Sequence, residues 1–321
     1  MSCDSTDLGD LERNLAKKLA MSKLPSLAAF YLRAGLSIFK SPYLPQGVTS
    51  LPEQTLSVSL PRIDPTHVQS FVDMVGGKLT FPTQLPSTYC QVQTMVMPMT
   101  VLARTNLRII GALHEATEIR SFRPIDVKEK LSAVAHFDGC VNLSDKNDLL
   151  LSVSVDIFGE ADPSTPTQQN VNNYRILNPK RSQITVEKKE SVPEFYNGWQ
   201  TFDYNYPITT GRDYAMLNGD TNPIHMHPLA AKPFGFSSCI PHGMFSVCKM
   251  AAEHTDTGFG LVSGKFIRPI LLPRQVQGKF DPSTGKYVLG YHNIEGVFVV
   301  AVEGLIKSSS SIRDYKPHHA N

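Results

Sequence analysis

No Cys-x-x-Cys pair occurs in this chain, and its five cysteines (Cys3, Cys90, Cys140, Cys239 and Cys248) are odd in number and far apart. That spacing excludes a paired-cysteine metal site or redox couple, and it fits reduced intracellular thiols. Dense runs of one charge are also missing. The 31 basic residues nearly balance the 29 acidic ones, for a formal charge of +2. With only short pairs such as Lys17-Lys18 and Lys188-Lys189, nucleic acid is not an expected partner. Nor is any apolar run long enough to cross a bilayer. The nearest candidate, Leu24 to Phe39, contains Arg33 and the turn-prone Pro25 and Gly35, so no membrane span is expected. Acidic residues Asp4, Asp7, Asp10 and Glu12 precede any apolar run, which speaks against a secretory or transit leader and makes the cytoplasm the expected location. A Gly-x-Gly-x-x-Gly fingerprint is absent as well, and no dinucleotide is expected.

What is present is an ordinary globular composition, 41% apolar and 19% charged over 321 residues. That is enough to bury a sizeable core and long enough for two domains. Apolar residues between 11 and 39 recur at helical spacing, predicting an amphipathic helical extension over residues 1–40. Leu56, Val58 and Leu60 form a short strand, whereas Pro82 to Pro98 has the character of a loop. Two later stretches resemble each other. Glu118-Ile-Arg-Ser-Phe-Arg-Pro-Ile125 is followed by an alternating strand ending in His136-Phe-Asp138. Gly264-Lys-Phe-Ile-Arg-Pro-Ile270 is followed by one ending in Lys279-Phe-Asp281. Each leads through a turn into an apolar alternating run, Leu149 to Phe158 in one case and Val297 to Ile306 in the other, and the separations nearly coincide. The pattern predicts a duplicated fold. Between the halves, Ala161 to Arg181 is rich in Pro, Thr, Gln and Asn, which predicts a first unit over 41–165, a linker over 166–190, a second unit over 191–308 and a tail over 309–321.

Chemistry-bearing residues gather after Thr209. Thr210-Gly-Arg-Asp213 has the form of a capping box opening a short helix that Gly219 ends. In Asp220-Thr-Asn-Pro-Ile-His225, the Gly-Asp turn and the Asn-Pro bond hold the backbone out of helical geometry and display Asp220 and His225 on one loop. A carboxylate beside an imidazole is a working general acid/base pair; a turn carboxylate beside a packed histidine is the bland alternative. Cys239-Ile-Pro-His-Gly-Met244 then leads into an apolar helix over Phe245 to Glu253. Gly243 lies at its first turn, suited either to an oxyanion contact or to tight packing. His225, His227 and His242 with Asp220 form a second alternative, a metal cluster, although their spacing matches no metal motif. His227, directly before Pro228, fits helix entry better.

Tyr214-Ala-Met-Leu-Asn-Gly-Asp-Thr-Asn-Pro-Ile-His225, with Ala231 and the His-Gly-Met at 242–244, closely resembles the hydratase-2 motif of MaoC-like dehydratases and R-specific enoyl-CoA hydratases. The resemblance covers most of the second half, and the first half resembles only the degenerate copy of double-hotdog members. It implies an α+β double hotdog: two antiparallel sheets, each wrapping a central helix. It also implies a hydro-lyase that reversibly hydrates trans-2-enoyl-CoA to (3R)-3-hydroxyacyl-CoA in fatty-acid metabolism. Asp220 would then be the base, His225 would position water and return the proton, and the Gly243 N–H would be the oxyanion donor. Asn222, Tyr214 and His242 would bind substrate, with no metal or other cofactor required. The partner would be a thioester of CoA or of acyl carrier protein, with its phosphopantetheine on a basic rim of Lys265 and Arg268; a homodimer is compatible with this. Two alternatives stay open: a dehydratase serving only carrier-protein substrates, and a non-catalytic acyl-thioester-binding protein. Asn218 departs from the small residue usual in the family and puts substrate fit in question. The first half has no Gly-Asp-x-Asn-Pro-x-His segment. Its Met95, Met97 and Met99 are either an adaptable wall for a long acyl chain or ordinary core.

Overall fold

In the computed structural model the described residues are 18–21, 24, 26–44, 54–76, 83–143, 148–178, 196–254 and 260–308. The first half contains β1 (Lys18–Met21), α1 (Leu27–Leu36), β2 (Thr55–Ser59), α2 (Pro65–Val75), α3 (Tyr89–Thr94) and α4 (Val96–Arg104). It continues with β3 (Leu113–Ser121), β4 (Leu131–Leu143), β5 (Asp148–Gly159) and β6 (Asp162–Ile176). The second half contains β7 (Gln200–Tyr206), α5 (Thr210–Asn218), α6 (Pro223–Met226), α7 (Pro228–Ala231) and α8 (Gly243–His254). Strands β8 (Gly260–Phe266), β9 (Arg274–Phe280), β10 (Lys286–His292) and β11 (Phe298–Ser308) complete it.

All strands join one sheet in the order β1-β2-β4-β5-β6-β3-β8-β11-β10-β9-β7. From β2 to β7 the order is a palindrome: β2, β4, β5, β6 and β3 on one side correspond to β7, β9, β10, β11 and β8 on the other. The predicted duplication is therefore present in the topology. The Arg123-Pro124 and Arg268-Pro269 pairs both follow the strand next to the centre. At the centre β3 and β8 run antiparallel, from Ala116 opposite Lys265 to Ser121 opposite Gly260. The two sheets expected from the double-hotdog resemblance are thus two halves of one continuous sheet. Within it β4 and β5 bury alternate residues, Leu131, Ala133, Ala135 and Phe137 facing Leu151, Val153, Val155 and Ile157, as period-two patterning requires. Helix α4 packs on β4 and β5, and α8 on β8 and β11. His67 on α2 ties the halves together: its Nδ1 accepts from the Tyr89 hydroxyl at 2.8 Å, and its Nε2–H donates to the Leu217 carbonyl at 3.0 Å.

Four expectations need correction. The linker set at 166–190 is strand β6 as far as Ile176, because its Gln and Asn side chains alternate between buried and half-buried positions and pair inside the protein; residues 179–195 lie outside the described residues. In the duplication, β6 and not β5 corresponds to β11, so the apolar runs Leu149–Phe158 and Val297–Ile306 are not equivalents. Residues 82–98 are not a loop after Ser87-Thr88. Tyr89–Thr94 and Val96–Arg104 are helical, and Pro98 is tolerated because it stands in the first turn of α4, where its missing N–H costs no intrahelical bond. Finally, the helical extension is only partly helical: Lys18–Met21 pairs parallel to β2 and α1 begins at Leu27. The strand expected around Leu56 is β2, and the tail at 309–321 lies outside the described residues.

Leu151 on β5 is fully buried, whereas Val141 on β4 is 59% exposed. Leu151→Ala is expected to lower stability by about 2–5 kcal/mol through the cavity it leaves. Val141→Ala should change it by no more than about 0.5 kcal/mol. Urea unfolding of both variants measures the contrast.

Candidate active site

The loop after α5 is held by its own hydrogen bonds. Gly219 ends the helix in a left-handed conformation, φ 76°, and its N–H donates to the Ala215 carbonyl at 2.8 Å. The Asn218 side-chain oxygen accepts from the Asp220 N–H at 2.8 Å. Asn218 thus braces the turn and does not crowd it. The Asn222 N–H donates to Asp220 Oδ1 at 3.1 Å, and Asn222 Oδ1 caps α6 through the Ile224 N–H at 3.4 Å. Asn222, expected to bind substrate, is occupied in holding the loop. The capping box expected at Thr210 is replaced by a different contact, since the Thr210 hydroxyl donates to the Pro207 carbonyl and Thr209 is the N-cap. His227 is exposed, and its Nδ1 accepts from the Leu229 N–H at 3.2 Å, capping α7.

Asp220, His225 and His242 come together, each offering a donor atom within 4.8 Å of the others. His225 Nδ1–H donates to the Ile240 carbonyl at 2.9 Å, which leaves its Nε2 with the lone pair. The His225 and His242 rings stack with centroids 3.7 Å apart. His242 Nε2–H donates to the Asp220 backbone carbonyl at 3.0 Å and lies 3.4 Å from Asp220 Oδ2. Tyr214, expected to touch substrate, is fully buried. Its hydroxyl lies 3.6 Å from Cys248 Sγ and its ring lies against His242, so it supports the imidazole from behind. Gly211 permits the close approach of α5: a side chain there would stand 2.4 Å from the His225 carbonyl oxygen and 2.8 Å from that of Ile240.

Burial pushes the His225 imidazole down to about 3, helped by the charge of His242 and opposed by Asp220 and the Ile240 carbonyl. Burial works against ionisation of Asp220. The hydrogen bond and charge of His242, the charge of His225 and the Tyr31 hydroxyl outweigh it and hold the carboxyl well below the usual carboxylate range. At neutral pH the site therefore presents an ionised Asp220 and a neutral His225, both proton acceptors.

Tyr31 and His114 were not foreseen. The Tyr31 hydroxyl on α1 donates to Asp220 Oδ1 at 2.8 Å across 189 residues of sequence. His114 on β3 stacks on Tyr174 (4.8 Å) and packs against Phe266 (4.9 Å); burial pushes it down to about 4. No local pattern marks either residue, because the sheet and α1 deliver them from the other half. Gly243 is the first residue of α8, and a side chain there would stand 2.5 Å from the Phe266 ring. Tight packing thus accounts for the glycine, and its N–H remains without an intrahelical partner. Met97 is fully buried in the core, while Met99 packs at its edge. Lys265 pairs across the sheet with Glu303 at 3.8 Å.

Residues 200–286 match the sequence profile of the MaoC like domain. The segment that carries Asp220, His225 and Gly243 is similar to that domain. The chain is 29% identical over 234 residues to 3-hydroxyacyl-thioester dehydratase X of Mycobacterium tuberculosis, a match covering 70% of this chain and 78% of that protein. The crystal structure of HtdX from the same organism aligns with a TM-score of 0.63 at 22% identity, covering 79% of this chain and 99% of that one. A MaoC-like dehydratase from Phytophthora capsici aligns with a TM-score of 0.59 at 16% identity, covering 82% and 97%. A further M. tuberculosis protein described as having a double hotdog fold aligns at 0.51 and 9% identity, covering 78% and 92%. The structural likenesses establish the double hotdog fold of the chain. Among the described residues, no helix is long and apolar enough to cross a membrane.

The depressed value of His225 has a consequence for folding. In the unfolded chain this imidazole titrates at 6.5, in the folded one at about 3. Above pH 6.5 both forms are neutral and stability is unaffected. As pH falls from 6.5 towards 3 only the unfolded state takes up the proton, so stability is lost across that window. His114, lowered to about 4, adds a loss of the same sign. Calorimetry should show the unfolding temperature dropping between pH 7 and pH 5, with a shallower drop in His225→Gln. An unchanged slope in that variant would contradict the buried neutral imidazole.

Proposed function

We propose that this protein is a hydro-lyase that interconverts trans-2-enoyl and (3R)-3-hydroxyacyl thioesters. The observation that carries the reading is the convergence of Asp220 and His225, both proton acceptors at neutral pH, on one small space beside the start of α8. The 3-hydroxyacyl-thioester dehydratase relative supports it, as does the MaoC-like domain that contains both residues.

In the dehydration direction the C2 proton passes to the acceptor pair. The C2–H electrons form the C2–C3 double bond, and the C3–O bond breaks. The oxygen leaves as water after taking a proton back from the pair. Hydration reverses each transfer, with one water held between Asp220 and His225 Nε2. Negative charge developing on the thioester oxygen is met by the Gly243 N–H at the positive end of α8. Because the two acceptors share one water, their titrations are coupled, and the division of labour belongs to the pair.

The same donor atoms have the composition of a cation site. His242 Nε2, however, has its proton on the Asp220 carbonyl and would have to surrender it to ligate through that atom. Water between Asp220 and His225 needs no such rearrangement. The carrier is a pantetheine thioester in either form, CoA or acyl carrier protein. With Lys265 already paired to Glu303, Arg268 is the better candidate for the rim.

Hydration of trans-2-enoyl-CoA by the purified protein, with product handedness read by R- and S-specific dehydrogenases, tests the reading. R product is expected. Asp220→Asn should lower the rate by about two to four orders of magnitude, and His227→Ala should leave it near wild type. Activity should also survive chelation by EDTA. Wild-type turnover by Asp220→Asn would remove the assignment, and loss of activity on chelation would point back to a metal on Asp220, His225 and His242.

A further inference from the structure

Strand β6 buries an unusual set of side chains. Its inward positions, Gln168, Asn170, Asn172 and Tyr174, follow one another at period two and are each at most 5% exposed. Its counterpart in the second half, β11, buries Ala301, Val302 and Ile306 instead. Opposite them on β3 stand Ser121, Ile119, Thr117 and His114, in that register. Gln91 on α3 closes over the top, donating to Asn172 Oδ1 at 3.0 Å, and the Thr117 hydroxyl donates to the same oxygen at 3.2 Å. Gln168 donates to Asn170 Oδ1 at 2.8 Å and to the Ser87 carbonyl at 3.0 Å. These bonds use only part of the polar capacity. Gln91 Oε1, Asn170 Nδ2, Asn172 Nδ2 and Ser121 Oγ are buried with no partner in the protein.

This ladder leads to the reactive centre. Its last rung, Tyr174 with His114, packs against Phe266, whose ring covers Gly243 at the start of α8. The charge of Asp220 is felt at both His114 and Tyr174. An acyl chain held with its thioester at Gly243 and directed into the first half would run towards these rungs, beginning at His114 and Tyr174.

We infer that the first half receives acyl groups carrying hydroxyl or keto substituents along the chain, hydrogen-bonded to Asn172, Asn170 and Gln91, in preference to plain saturated chains. A saturated chain would leave the amide donors and acceptors desolvated and unpaired, which is costly in a low-dielectric interior. A hydroxyl accepts from an amide N–H of Asn172 and donates to Gln91 Oε1, satisfying two of the orphaned atoms at once. The inference rests on the thioester reading of the Asp220 site and narrows its substrate class.

The test uses thioesters that cannot react, so that binding is read without turnover. Calorimetry compares octanoyl-CoA with octanoyl-CoA carrying a hydroxyl beyond its fifth carbon. The hydroxylated ligand should bind about tenfold more tightly, the worth of one or two buried hydrogen bonds. Gln91→Leu and Asn172→Leu should each reduce that preference while retaining affinity for octanoyl-CoA; Gln91 stands on a short helix outside the strand ladder, and its variant serves if Asn172→Leu fails to fold. Equal or tighter binding of the unsubstituted chain, a preference unchanged in the variants, or no binding of either ligand overturns the proposal and leaves the ladder to ordered water. Crotonyl-CoA hydration on the same preparations separates the two readings. Turnover without a binding preference sinks the ladder alone, and a preference without turnover sinks the proposed reaction alone.

Discussion

Antiparallel pairing of β3 with β8 is the contact on which the remaining architecture depends. Backbone bonds from Ala116–Ser121 to Lys265–Gly260 make one sheet of two halves, so the face of β3 and β6 lies beside the start of α8 within a single chain. Without that pairing, His114 and Tyr174 would have no reason to stand next to Phe266, and the buried surroundings of Asp220 would open on one side. His67, bonded at once to Tyr89 and to the Leu217 carbonyl, reinforces the same junction one turn before the reactive loop. The halves differ in what they bring. The second carries Asp220, His225 and His242, and the first brings the Tyr31 hydroxyl to Asp220; burial is the condition under which an ionised carboxylate and a neutral imidazole hold their separate states.

That separation of states follows from a division of hydrogen bonds. Asp220 is surrounded by donors, the Asn222 N–H, the Tyr31 hydroxyl and His242 Nε2–H, each of which favours the ionised carboxylate. His225 makes one bond, from Nδ1–H to a neutral carbonyl, and is otherwise packed against another imidazole. Burial then acts in opposite senses on the two: it is overcome at Asp220 and prevails at His225. The loop satisfies its own amides through Asn218 and Asn222, and Tyr31, His242 and the Ile240 carbonyl anchor the two side chains from the body of the protein.

Much of the candidate site was legible in the sequence because its determinants are local. Gly219, Asp220, Asn222, Pro223 and His225 lie within seven residues, and their backbone preferences dictate the turn whatever surrounds it. The duplication was legible for a similar reason, since strand, Arg-Pro and strand recur with their turns. Contributions from elsewhere were not legible. Tyr31 reaches Asp220 from 189 residues away, and His114 depends on strand register that no short pattern encodes. The helices over residues 89–104 were hidden by Pro98, which looks like a breaker unless its place in the first turn is known.

The misreading of β6 has a physical cause that ties fold to function. Gln168, Asn170 and Asn172 look like linker residues because a buried strand is expected to present apolar side chains at every second position. In β11, the equivalent strand, the buried residues are apolar, Ala301, Val302 and Ile306, although not at strict alternation. Polar residues persist in the interior only where partners offset their desolvation. Here the protein supplies part of those partners through Gln91, Thr117 and the Ser87 carbonyl, and leaves the remainder facing inward along a line that ends at His114. An apolar ladder in the same place would have been simpler to fold and easier to predict. On the proposed reading, the cost carried by the polar one is offset by whatever polar group completes those bonds.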